Sequence, residues 1–100
     1  MSNDEIIRGK LYFDPEDPIF QSHFPSFPVV PGSLIVGHCL QIIQNSVHIN
    51  QQPIIQTFNF LGFIVPGSCD YTFEITASRV KCKIFQKEKL KAKGVISYEA

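Results

Sequence analysis

One hundred residues suit a single domain, residues 1–100, and 44% hydrophobic content supplies a core, although so short a chain keeps much surface for its volume and gains from self-association. Nine basic and nine acidic residues cancel, so overall charge gives no drive toward polyanions or acidic substrates. Three cysteines, Cys39, Cys69 and Cys82, are an odd set without CxxC or metal-ligand spacing, which argues for reduced thiols; neither a metal nor a cofactor is expected.

The polar start MSNDEIIRGK has no signal-peptide pattern, and no apolar run approaches a membrane span, so a cytoplasmic protein is expected. Residues 6–13 read as a first strand. Asp14, Glu16 and Asp17 follow in a Pro-bounded loop and read as solvated turn residues. Pro25, Pro28 and Pro31 fix φ and keep the residues before them out of helix, so His23 to Val30 is a rigid loop. Pro31 suits a first helical turn, and Gly32 lets a ligand approach a backbone N–H closely. An oxygen gaining negative charge fits there. From Ser33 to about Val47 apolar residues cover most of the circumference, which predicts a buried helix.

A polar break at 48–53 precedes a β-branched and aromatic run, Ile54 to Ile64, read as a strand, and then a turn at Val65-Pro66-Gly67-Ser68. Tyr71, Phe73, Ile75 and Ala77 alternate with Asp70, Thr72, Glu74 and Thr76, the mark of a half-buried strand. Residues 79–86 and 90–98 complete a hairpin around Lys87-Glu88-Lys89. There is no repeat, linker or low-complexity tract. One helix among short-linked strands predicts an α+β domain with an antiparallel sheet wrapped on that helix.

Zero net charge conceals an asymmetry. Seven of the nine basic residues, Arg79, Lys81, Lys83, Lys87, Lys89, Lys91 and Lys93, fall within fifteen positions. Arg79, Lys81 and Lys83 alternate with Val80, Cys82 and Ile84 and so share one strand face. Such a face is either a solvated or lysine-protected edge strand or a docking surface for an acidic partner. Nucleic acid fits less well, because only Phe85 interleaves with the bases.

The run H-F-P-x-x-P-V-x-P-G-x-L-I from His23, with Gln41 beyond it, resembles the 3-hydroxyacyl-acyl-carrier-protein dehydratases of the FabZ and FabA type. The stretch from Tyr12 to Phe20 resembles that family's lead-in, and Phe60 with Val65-Pro66-Gly67 its later segment, so most of the chain is covered. The resemblance implies a hot-dog fold, with a long central helix inside an antiparallel sheet, and a homodimer or higher oligomer of dimers. It implies that His23 is the catalytic base, that the Gly32 N–H holds the thioester carbonyl, and that Phe24 and Pro31 lie against the substrate. The partner implied is an acyl-carrier protein bearing an acyl thioester.

Two positions depart from the pattern. Ser26 stands where the family has glycine. Gly37 stands where the family's helix carries the carboxylate that completes the histidine of the other subunit. Dehydration needs a base at the α-carbon and an acid at the departing β-hydroxyl, and one such group is typically worth about 10²- to 10⁴-fold. His38 is the nearest substitute, yet helix neighbours point about 100° apart, so it does not inherit the direction of residue 37. Cys39 beside it reads as a small buried hydrophobe rather than a nucleophile.

The reading is a dehydratase-like hydro-lyase of fatty-acid or related acyl-chain biosynthesis with an incomplete catalytic pair. Two alternatives accompany it: a non-catalytic acyl-thioester-binding or partner subunit of a second dehydratase-like chain, and a hot-dog thioesterase. The absence of Asp and Glu from the helix counts against the thioesterase.

Overall fold

A computed structural model describes residues 5–22, 28–46 and 53–98, apart from the side chains of Gln21 and Ser22. The chain forms strand β1 (Glu5–Phe13), a short helix α1 (Pro18–Ser22), a long helix α2 (Gly32–Ser46), and strands β2 (Ile54–Phe60), β3 (Gly67–Ile75), β4 (Arg79–Gln86) and β5 (Lys89–Ser97). The strands make one antiparallel sheet in the order β1-β3-β4-β5-β2. The α+β arrangement read from the sequence is therefore present, and β1 and β2 are its edges.

Alternation sets which side of the sheet each residue faces. Leu11 and Phe13, then Cys69, Phe73 and Ile75, then Val80, Cys82 and Ile84, then Ala92 and Ile96 are buried on one side. Against them α2 lays Ile35, Cys39 and Ile43, spaced four residues apart and all almost fully buried. Each large apolar side chain buried this way contributes roughly 1.5–3 kcal/mol. Val80 and Ile84 hold the middle of the core because β4 is the central strand.

Three details differ from the sequence reading. The helix is buried along one stripe only, because Ser33, Gly37, Gln41 and Gln44 fall together on the opposite side and are exposed. Strand β2 stops at Phe60 rather than Ile64, since Leu61 and Gly62 both donate their N–H to the Lys91 carbonyl, at 2.7 and 3.2 Å, and leave the ladder. Helix α1 is a second helix where the sequence reading expected a single one. Asp17 caps it, its Oδ1 accepting the Ile19 N–H at 3.0 Å, while Asp14 Oδ1 accepts the Glu16 N–H at 2.9 Å. These exposed carboxylates serve a turn and a cap, as expected of solvated turn residues.

Strand β2 is apolar at an open edge. Ile54 and Ile55 are exposed there, as are Phe60, Leu61 and Phe63 beyond them, the last at 69%. Monomeric proteins usually blunt such an edge with charge or proline. β2 carries no charged residue.

Candidate functional site

The N-terminus of α2 is built from two segments far apart in sequence. Val30 donates its N–H to the Ile64 carbonyl at 2.7 Å, tying the proline-rich lead-in to the chain after β2. The Pro31 carbonyl then accepts from Leu34 and Ile35, so the helix begins directly after it. Gly32 opens the helix, one residue earlier than the sequence suggested, at a position whose N–H has no intrahelical partner.

A cleft of about 230 Å³ lies at this helix end, walled by Val30, Pro31, Gly32, Ile35, Phe60 and Ile64. The Phe60 ring packs so closely on Gly32 that a Cβ there would sit 2.8 Å from Phe60 Cζ. A larger residue there would push the ring aside, so glycine lets the ring close over the helix end. The lining is apolar apart from the helix end, which suits a greasy chain with one oxygen to orient.

Gln86 holds the far wall. Its place in the alternation with Val80, Cys82 and Ile84 points it inward, and there its Oε1 accepts the Val65 N–H at 3.0 Å. Its Nε2 donates to the carbonyls of Val65 and Ser68, at 3.0 and 3.1 Å. One buried amide thus clamps the turn whose neighbour, Ile64, anchors Val30. Gly67 inside that turn has φ of 121°, a conformation that side chains avoid. Gln86→Leu removes all three bonds and strands the Val65 amide, so a loss of roughly 1–3 kcal/mol in urea unfolding is expected.

Pro31 and Gly32 are brought together in the cleft. His23, Phe24 and Ser26 lie outside the described residues. Gly37 sits two residues past Ile35, about 200° around the helix, and so faces away from the sheet. Nothing among the described residues lies within 4 Å of where its Cβ would be. His38 turns the other way and packs edge-on against Phe13, ring centroids 5.0 Å apart. It is a packed side chain and does not fill the space at residue 37.

The cysteines are buried and free. A hydrogen bond with Cys82, followed by burial, pushes the Cys39 thiol well above its ordinary value. Burial, with Asp70 and Cys39 adding, pushes Cys69 up to about 11. Neutral buried thiols are poor nucleophiles, and Cys39 engages Cys82 rather than His38. The unfolded chain releases these protons above about pH 8.5 while the fold keeps them, so stability is full below that pH and declines as pH rises toward 11. Guanidinium titrations at pH 7.5 and 10 should show the midpoint falling, and iodoacetamide at pH 8 should label the thiols only after unfolding.

Among the described residues no group of His, Cys, Asp and Glu is placed to hold a metal, and no helix is long and apolar enough to cross a membrane. The sequence matches the ApeI-like family, described as ApeI dehydratase, over residues 1–97. The chain belongs to the ApeI-like dehydratases. A search of curated proteins finds no match.

Solved structures agree on the fold of this ApeI-like chain. The dehydratase heterocomplex ApeI:P from Xenorhabdus doucetiae superposes with a TM-score of 0.72 at 18% identity, covering 97% of this chain and 95% of that one. An uncharacterized protein from Erwinia carotovora subsp. atroseptica gives 0.74 at 17% identity, over 97% and 85%. A variant of the fluoroacetyl-CoA-specific thioesterase FlK gives 0.60 at 13% identity, over 96% and 84%. At such identities the likeness speaks for the hot-dog fold. Dehydratases and thioesterases both use it, so activity has to be argued from the site.

Proposed function

We propose that this ApeI-like chain binds 3-hydroxyacyl or enoyl thioesters of a carrier protein, as the FabZ and FabA enzymes it resembles do, and works as one subunit of a mixed dehydratase. His23 acts as base at the α-carbon, and the Gly32 N–H holds the thioester oxygen at the mouth of the apolar cleft. The acid comes from the helix of a second, complete dehydratase-like subunit. The observation that carries the reading is at Gly37: the helix bears no Asp or Glu, and among the described residues no atom beyond the helix's own backbone lies within 4 Å of a Cβ there.

In a mixed pair the two sites are then unequal. One joins His23 to the partner's carboxylate and is complete; the other meets Gly37 and lacks its acid. The uncharged apolar edge of β2 supplies a surface on which such a partner can continue the sheet. That the relative from Xenorhabdus doucetiae is a heterocomplex supports the same arrangement.

The test follows hydration of trans-2-enoyl carrier-protein thioesters by this chain alone, by a complete ApeI-type subunit alone, and by the co-purified pair. The pair should turn over while this chain alone should not, and light scattering should give one copy of each. Stable homodimers with full activity would sink the proposal. Release of free thiol from acyl thioesters would move the chain to the thioesterases.

A further inference from the structure

The outer face of the sheet carries a row of hydrogen-bond donors that crosses all five strands. The register aligns Arg8 with Thr72, Thr72 with Lys83, Lys83 with Lys93, and Lys93 with Asn59. Arg8, Lys83, Lys93 and Asn59 are exposed, and Thr72 is half-buried. The adjoining rows contain acids: Lys10 pairs with Asp70 at 2.8 Å, and Lys81 stands opposite Glu74. The central row contains none, and neither do strands β2, β4 and β5.

Two features set this row apart from an ordinary solvated face. Lysines guard edges, but β4 is the central strand and β5 is interior, so edge protection does not explain Lys83 and Lys93. Like charges directly opposite across an antiparallel pair are destabilising, and the acids on this face of the described sheet, Asp70 and Glu74, stand diagonal to Lys83 and directly across from Lys10 and Lys81 instead. Beside it a groove of about 330 Å³ is lined by Lys81, Lys83, Lys93, Thr57 and Asn59.

We infer that this row is the docking surface for an acidic helix of a partner protein, laid across the strands. Strands lie about 4.8 Å apart, so the row offers one donor at that interval. A helix advances about 5.4 Å per turn, so carboxylates three or four residues apart meet successive donors. Ile6, Tyr12 and Ile54 are exposed at the corners of the same face, but the central row itself holds no apolar side chain, whereas a membrane would want apolar area among the cations and nucleic acid would want aromatic platforms between them. The inference deepens the carrier-protein reading above, and rests on it, by naming where the carrier sits.

The probe is apo-acyl-carrier protein, which has no thioester, so its binding is read without any turnover. Fluorescence anisotropy should show saturable binding that weakens between about 50 and 200 mM salt. Lys83→Glu and Lys93→Glu should each weaken it about tenfold or more, while raising the melting temperature by replacing the like-charge pair with an attractive one. Lys89→Glu makes the same charge change at the hairpin tip and should leave binding near wild type. Absence of binding, equal loss in all three variants, or tighter binding of duplex DNA or phosphatidylserine vesicles would each overturn the assignment. Turnover of N-acetylcysteamine thioesters by the mixed dimer tests the function separately. Turnover without carrier binding rejects the surface alone, and carrier binding without turnover rejects the catalytic reading alone.

Discussion

Gly37→Glu is expected to give this chain, purified without a different partner and paired with a second copy of itself, a dehydratase activity about 10²- to 10⁴-fold above its own background. The gain is the usual worth of one positioned acid–base group. The structure allows the change, since no described atom lies within 4 Å of the new Cβ and the position is exposed. Replacing glycine within α2 also removes a helix penalty of roughly 0.5–1 kcal/mol, so the melting temperature should rise with the activity. Gly37→Ala is the control: it should raise stability alike and leave turnover at background. Interconversion of 3-hydroxyacyl and trans-2-enoyl carrier-protein thioesters is the assay. If both variants are stabilised, run as dimers by light scattering and neither is active, the base is at fault rather than the acid.

His23→Ala should abolish that gain and, in the proposed mixed dimer, should also lower turnover by about 10²- to 10⁴-fold, because the complete site of that proposal uses this histidine. The corresponding histidine of the partner would face Gly37, so removing it should leave most of the turnover intact. This asymmetry is the sharpest kinetic sign of a split site. A complete partner that works as its own homodimer would show the opposite ranking. Carrying Gly37→Glu into the mixed dimer should then restore the second site and about double the turnover per complex.

Much of the fold was legible because alternation is a strong signal in half-buried strands. β3, β4 and β5 place Phe73, Cys82 and Ile96 inward as their parity requires. Helix α1 was missed because five residues are too few to display a period. The end of β2 was missed because its apolar composition runs on to Ile64, whereas the ladder is broken by two amides converging on the Lys91 carbonyl. The helix looked uniformly apolar until its wheel was fixed against the sheet, which gathered Ser33, Gly37, Gln41 and Gln44 on one side.

The site was half legible. Pro31-Gly32 announces a helix start open to a ligand, and the pair does line the cleft. Phe60 was visible as part of a motif, but its contact with Gly32 is a tertiary fact that no spacing encodes. Gln86 could have been found, since strand parity puts a lone amide among Val80, Cys82 and Ile84, and a buried amide demands partners. The reverse holds for His38: proximity in sequence suggested chemistry, and the fold spends its ring on Phe13.

The uncharged edge of β2 has a bearing on how much of this protein a cell can safely make. Copies that outnumber whatever covers Ile54 and Ile55 present a row of open backbone groups to one another, a template for indefinite strand addition. If the proposed partner subunit covers this edge, synthesis of the two has to be matched. Produced by itself in quantity, a larger share of the protein should collect in the insoluble fraction than when a covering subunit is co-synthesised.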